Sequence, residues 1–150
     1  MIWKQRIGAG TYLLTMSSAM IAWSLATLYL SDKAAVPKAI SLGEYNFYVS
    51  LFGAAVGGVF WLFSAGRLRD LNMPGWVVNL LAFPLIGVVI LPVMCFLSGP
   101  RWKNDYGDPP QPSGILKVCV SLALFGFAIV CSYDALNEYY KVRYLLALGG

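Results

Sequence analysis

The sequence predicts an all-α, polytopic membrane protein with four transmembrane helices in one small bundle. Four stretches free of Asp, Glu, Lys, Arg and His divide the 150-residue chain, at residues 7–31, 45–66, 71–100 and 118–133. Hydrophobic residues make up 59% of the chain and charged residues only 12%, against about 25% charged in ordinary soluble domains. The polar segments between the stretches are too short to fold separately, so residues 1–150 are predicted to form a single integral membrane domain.

The first two helices are predicted over about residues 8–30 and 45–65. Each is long enough to cross the membrane, because about 20 residues rising 1.5 Å each cover about 30 Å of hydrocarbon. The first stretch follows Lys4 and Arg6 as a signal peptide would. Its apolar region runs to about 24 residues, whereas a cleavable signal peptide has about 7 to 15. We therefore predict that it is retained as the first span.

The third and fourth helices are predicted over about residues 76–97 and 115–133. Pro84 and Pro92 each lack a backbone N–H, so we expect the third helix to kink at these positions. A re-entrant hairpin is the alternative for this stretch, and the sequence leaves the choice between spanning and re-entrant open. The fourth helix reaches spanning length only if Lys117 snorkels to the membrane surface.

Small residues recur every four positions on the first two helices, which predicts close helix packing. The residues concerned are Ser18, Ala22 and Ala26 on the first helix and Gly53, Gly57, Ser50, Ala54 and Gly58 on the second. Small side chains on one face allow two backbones to approach closely in lipid. Packing of the first helix on the second is the preferred interpretation, and self-association through this face is the alternative.

The distribution of Lys and Arg over a four-span layout favours a cytoplasmic location for both termini. The face with the termini carries six such residues, namely Lys4, Arg6, Arg67, Arg69, Lys141 and Arg143. The other face carries five, namely Lys33, Lys38, Arg101, Lys103 and Lys117. The net charge of +4 is accordingly interpreted as membrane topology, with no nucleic acid among the expected partners.

The residue types needed for catalysis are scarce, so the protein is predicted not to be an enzyme and to hold no cofactor or metal. The chain has no His, which excludes His ligation of haem or metals and His-based catalytic triads. No charged residue lies centrally in a predicted span, which disfavours an ion-coupled transporter. Asn79 lies about one turn inside Trp76, and we expect it to bond a neighbouring helix rather than a substrate.

Two polar loops could carry recognition, at residues 66–76 and 101–110. If the second helix continues to Asp70, then Arg67 and Asp70 are three residues apart on one face and can form an ion pair. The second loop is rich in Asn, Asp, Gly and Pro, which specify a tight, ordered turn. The candidates for ligand or lipid binding are Arg67, Arg69, Asp70, Asn104 and Tyr106.

These loops resemble a family of bacterial inner-membrane proteins known as domain of unknown function 805. That family has an Arg-Arg-Leu-His-Asp segment, then Ser-Gly-Trp-Trp, a Pro-Leu-Ile-Gly break and finally Asn-Arg-Tyr-Gly-Pro-Asp-Pro. This chain follows the same order over about residues 60–110, with Arg67, Leu68 and Asp70, then Gly75 and Trp76, then Pro84-Leu85-Ile86-Gly87, then Asn104, Tyr106, Gly107 and Pro109. It departs from the pattern at Gly66, Arg69 and Val77, which stand where the family has Arg, His and Trp.

The resemblance implies a bacterial inner-membrane location and importance for Arg67, Asp70, Trp76, Asn104, Tyr106 and Gly107. The family has no established activity to transfer to this chain. Our leading hypothesis is a non-enzymatic accessory or self-associating membrane subunit, with membrane lipids, further copies or a larger membrane complex as partners. The alternative is a small transporter, channel or anionic-lipid-handling protein with a site at the loop from Arg67 to Asp70 and the broken third helix.

Overall fold

The computed structural model of the protein describes residues 6–35 and 40–148, and these form helices connected by loops. The elements in chain order are α1 (Ala9–Ala35), α2 (Leu42–Asp70), a 3₁₀ helix (Gly75–Ala82), α3 (Pro84–Phe96) and α4 (Ile115–Leu148). The described residues include no strand, which confirms the all-α prediction. Three helices, α1, α2 and α4, are long and apolar enough to cross a membrane.

The ends of α2 are set by local sequence signals. Ser41 and Glu44 form a capping box at the start, in which each side chain bonds the backbone N–H of the other residue. Asn72 has a left-handed backbone with φ of 61°, which stops the helix just after Asp70. The helix therefore continues five residues past the predicted end at residue 65 and includes Arg67 and Asp70.

Helices α1 and α2 run antiparallel. At one end of the pair, the Ile7 backbone N–H donates to the Gly66 carbonyl at 3.1 Å. At the other end, the hydroxyls of Ser31 and Tyr45 lie 2.8 Å apart. We call the end that holds Ile7 and Gly66 the N-terminal end of the bundle.

The third apolar stretch is a hairpin of two short helices, which corrects the prediction of one kinked spanning helix. Pro84 is the first residue of α3, and Phe83 before it is extended, with φ of −76° and ψ of 116°. The 3₁₀ helix ends there because a residue before proline avoids the helical region. Pro92 lies inside α3. Eight 3₁₀ residues and thirteen α residues extend about 16 and 20 Å, so neither arm crosses about 30 Å of hydrocarbon.

Both ends of this hairpin, residues 75–96, lie at the N-terminal end of the bundle. Gly75 packs against the Arg69 guanidinium, and the carbonyl of Leu97, just after α3, accepts a hydrogen bond from Arg67. The chain therefore enters from this end, turns near Phe83 and returns. This hairpin geometry is the one that the re-entrant alternative requires, and the fourth spanning helix is not confirmed.

Helix α4 runs parallel to α1 and makes the most extensive helix–helix contact with it. Lys117 donates to the Thr11 hydroxyl at 2.7 Å near the start of both helices, and Ser24 and Ser132 lie 3.1 Å apart farther along. The C-terminal end of α4 therefore lies at the other end of the bundle from the start of α1. The layout in which both termini share a face needs a fourth spanning helix, which is not confirmed.

Small residues repeat every seven positions along this contact, which we call the seam. On α1 they are Gly10, Ser17, Ser24 and Ser31, and on α4 the corresponding series is Ser121, Ala128, Ala135 and Val142. All except the half-buried Gly10 are buried. A seven-residue repeat keeps the same faces of two supercoiled helices in contact, and small side chains let the backbones approach.

The small-residue rows singled out from the sequence lie elsewhere. Gly53 is the exception, since a Cβ there would lie 3.7 Å from the Trp23 indole nitrogen of α1. A Cβ at Gly57 or Gly58 would meet no atom within 4 Å among the described residues. The side chains of Ala54, Ser18 and Ala22 are exposed and that of Ala26 is half-buried. Close approach of α1 and α2 is thus seen at Gly53, while packing or self-association through the other positions stays a prediction.

Candidate functional site

A buried ion pair lies in the last turn of α2. Arg67 and Asp70 are three residues apart on one face of the helix, and the Arg67 guanidinium is paired with the Asp70 carboxylate. This confirms the pairing predicted from the sequence. The Arg67 side chain is 0% exposed and that of Asp70 is 3% exposed, so the pair is removed from both water and lipid.

Arg67 also closes the end of α3. Its Nε donates to the Met94 carbonyl at 2.9 Å, and one Nη donates to the Leu97 carbonyl. Carbonyls in the last turn of a helix lack intrahelical partners and carry the negative end of the helix dipole. The other Nη donates to the Ile7 carbonyl at 3.3 Å, just before α1. The Arg67 side chain on α2 thus hydrogen-bonds both the end of the hairpin and the segment just before α1.

Arg6 is the third charged member of this site, which we call the arginine cluster: Arg6, Arg67 and Asp70. Its Nε donates to the Asp70 carboxylate at 3.1 Å, and its Nη2 lies 3.0 Å from the same oxygen. The remaining N–H groups donate to the carbonyls of Pro100 at 2.7 Å and of Trp102 and Gly107 at 3.0 Å each. Arg6 thus donates four hydrogen bonds and makes one further ion-pair contact with Asp70.

The role of Arg6 in this cluster was not predicted from the sequence, where Arg6 was interpreted only as a charge that sets the topology. Nothing in its local spacing links it to Asp70, which lies 64 residues away. A basic residue that directly precedes an apolar helix is the ordinary pattern of a membrane flank.

The loop that faces Arg6 is held in shape by Asn104. The Asn104 side-chain nitrogen donates to the Arg69 carbonyl at 2.8 Å, and its oxygen accepts from the Tyr106 N–H at 2.9 Å. The backbones of Asn104 and Gly107 exchange two hydrogen bonds of 3.1 Å. Gly107 has a φ of 117°, which only glycine adopts without strain. The result is a tight turn that directs the Gly107 carbonyl toward Arg6.

A second glycine is required by close packing at the cluster. A Cβ on Gly99 would lie 2.5 Å from the Asp70 carbonyl and 2.6 Å from its carboxylate. No real side chain tolerates such contacts. The segment after α3 can therefore pass over Asp70 only because residue 99 is glycine.

The charged groups of the cluster contact each other and backbone carbonyls, and their side chains are at most 3% exposed. The arrangement therefore braces the fold. Ligand or lipid binding by Arg67 and Asp70 stays a prediction. Asn104 is engaged within the protein as well, while lipid binding by the half-buried Arg69 and Tyr106 stays a prediction. Among the described residues, no group of three or more Cys, Asp or Glu could hold a metal.

Comparisons with known proteins add a family but no activity. No curated protein matches the chain, and no solved structure matches it. The family described as "Protein of unknown function (DUF805)" matches residues 1–108. This range includes α1, α2, the hairpin and every residue of the arginine cluster, whereas α4 lies beyond it. The match covers well over half of the chain, and the protein therefore belongs to this family of unknown function.

Proposed function

We propose that the protein is a non-enzymatic membrane subunit that associates with a second copy of itself through α2. The observation that carries this proposal is the position of Ser50, Ala54 and Gly58. These three residues are spaced by four along α2, and all are exposed. A Cβ at Gly58 would meet nothing within 4 Å among the described residues. Such a face lets another helix approach closely, which is the usual basis of helix association in lipid.

The rest of α2 supports an external partner. Only 11% of its most apolar window is buried within the protein, the lowest share among the three spanning helices. A partner helix can pack closely against this small-residue face. Its dispersion contacts there are more favourable than those of lipid chains. The charged groups that come together in the fold serve its internal structure, so the proposal assigns them no part in catalysis.

The test is the oligomeric state of Gly58→Leu in lipid nanodiscs, measured by native mass spectrometry. We expect the wild type to be a dimer or larger homo-oligomer. A Leu side chain holds the backbones apart, so association should weaken at least about tenfold, or by about 1.4 kcal/mol.

Gly126→Leu is the matched control, since Gly126 lies on α4 and its Cβ would likewise meet nothing within 4 Å. It should associate like the wild type. A wild-type protein that is only monomeric, or equal association of both variants, would contradict the proposal. A stoichiometric different protein would replace self-association with an accessory role in a larger complex.

We also propose that the N-terminal end of the bundle faces the cytoplasm of a bacterial inner membrane and that α4 ends on the opposite side. If the hairpin returns to its own side, several basic residues are assigned to a different side of the membrane than in the four-span layout. Among the described residues, the N-terminal end holds Arg6, Arg67, Arg69, Arg101, Lys103 and Lys117. The other end holds Lys33, Lys141 and Arg143. For the same nine residues the four-span layout gives five against four, so the three-span arrangement has the stronger positive-inside bias.

Labelling of single cysteines in intact cells tests this topology. Cys119 is exposed, so the variants are made in a Cys119→Ala background. We expect a membrane-impermeant maleimide to label Leu148→Cys from outside and to label Asp108→Cys only after the cells are broken. Labelling of both positions from the same side would refute the three-span arrangement.

A further inference from the structure

The geometry points to a binding site for one acyl chain of a membrane glycerolipid, in the cleft between α2 and the hairpin, with the Asn79 side-chain amide bonding the ester carbonyl of that chain. This inference does not rest on self-association, because the residues of α2 that line the cleft include none of Ser50, Ala54 and Gly58.

The cleft is a cavity of about 250 Å³ with apolar walls. Its lining includes Gly57, Phe60, Trp61, Val78, Leu81 and Leu91. The one hydroxyl in the wall, that of Ser64, is already hydrogen-bonded to Tyr12 at 2.8 Å. A cavity without free polar groups does not hold water, whereas it suits a hydrocarbon chain.

Two features of the backbone create this space. The hairpin covers α2 only part of the way across the membrane, because its arms extend about 16 and 20 Å. Gly57 lies where this cover ends, and a Cβ there would meet nothing within 4 Å among the described residues. A chain that enters beside the hairpin can therefore continue along α2 past Gly57.

A polar group stands at the mouth of the cleft. The Trp61 indole N–H donates to the Asn79 side-chain oxygen at 3.2 Å, which confirms the prediction that Asn79 bonds a neighbouring helix. This bond fixes the amide so that its nitrogen, with two N–H donors, is the free end. Asn79 is exposed, and its amide nitrogen has no acceptor among the residues that the structure describes. In a membrane, such donors gain most from an acceptor supplied by lipid.

The depth of Asn79 identifies that acceptor. Asn79 lies four 3₁₀ residues beyond Gly75, or about 8 Å into the membrane from the level of Arg69. Trp61 lies six α-helical residues from Arg67, or about 9 Å along α2. The headgroup layer on each side of the hydrocarbon is about 5 to 8 Å thick. If the arginine cluster lies in this layer, Asn79 is level with the glycerol esters, whose carbonyls are hydrogen-bond acceptors.

The test is photolabelling in vesicles of phosphatidylethanolamine and phosphatidylglycerol that contain a trace of phosphatidylglycerol with a diazirine on one acyl chain. Labelled peptides are quantified by mass spectrometry. We expect the wild type to be labelled preferentially in the peptides that carry Phe60 and Leu81. Gly57→Leu fills the cleft without a clash and should reduce this labelling about tenfold. Asn79→Leu removes the ester contact and should reduce it about fivefold.

Gly58→Leu is the matched control, because it adds the same side chain at the next residue of α2, where the space is also open. It should keep wild-type labelling of the cleft even though it is expected to weaken self-association. Melting temperatures of all variants are compared to verify that each is folded. Labelling of Gly57→Leu at the wild-type level would show that the label comes from bulk bilayer lipid around the protein, and it would overturn the site. Wild-type labelling of Asn79→Leu would overturn the recognition of the ester.

Discussion

Two regions hold the bundle together by opposite means, the arginine cluster at its N-terminal end and the seam between α1 and α4. The cluster contains the only buried charged side chains among the described residues. Its members bond atoms in the segment before α1, in α2, at the end of α3 and in the loop after α3. The seam contains small uncharged residues repeated every seven positions. The hydrogen bonds across it each join one residue of α1 to one of α4, as between Ser24 and Ser132.

The two regions are expected to lose folding stability in different ways when a residue is substituted. A buried charge is stable only when all its partners are present, because removing one leaves the others uncompensated. A packed seam consists of many small dispersion contacts, so it loses stability in proportion to what is changed. The cluster also lies entirely within the part of the chain matched by the family, whereas the seam attaches α4, which lies beyond it. In this protein the part matched by the family is held together by the cluster, and α4 packs on it through the seam.

The largest effect is expected from Asp70→Asn, which leaves the guanidinium groups of Arg6 and Arg67 without their shared anion. Breaking a buried ion pair in this way costs about 3 to 5 kcal/mol. We expect the free energy of unfolding in mixed detergent micelles to fall by that amount. Asp108→Asn is the control, since Asp108 is exposed and should leave stability unchanged. Equal stability of the two variants would show that the cluster does not brace the fold.

An intermediate effect is expected from Ala135→Leu in the seam. Ala135 is 0% exposed, so the added atoms must push α1 and α4 apart, at a cost of about 1 to 3 kcal/mol. The same unfolding titration measures it, and Ala123→Leu on the exposed side of α4 serves as control. A loss as large as that of Asp70→Asn would mean that the seam is as cooperative as the cluster, which would remove the contrast between them.

The smallest effect is expected from Ser24→Ala, which removes the bond to Ser132 but keeps the close approach of the helices. Hydrogen bonds between membrane helices contribute about 0.6 kcal/mol on average. The expected loss is therefore near the limit of the titration, and Ser18→Ala at an exposed position of α1 gives the baseline. A loss of unfolding free energy above about 2 kcal/mol would mean that hydrogen bonds, and not packing, supply most of the stability of the seam.

Local rules predicted much of the structure. The membrane class follows from four charge-free stretches, because no soluble core could hide so much apolar surface. The ion pair of Arg67 and Asp70 follows from their spacing on one helix. The bond from Asn79 to a neighbouring helix follows from the cost of an unpaired amide in lipid. Each inference needed only residues that are close in the sequence or a property of the whole composition.

Composition and helix spacing are thus sufficient to predict a helical membrane protein in which Arg67 pairs with Asp70. Tertiary contacts are needed to establish that residues 75–96 turn back, that Arg6 shares Asp70, and that α4 runs parallel to α1. An apolar stretch is long enough to cross the membrane whether it does so or returns, since hydropathy carries no direction. Which arrangement forms depends on contacts between ends that are far apart in the chain, and pairing across 64 or more residues leaves no periodic trace in the sequence.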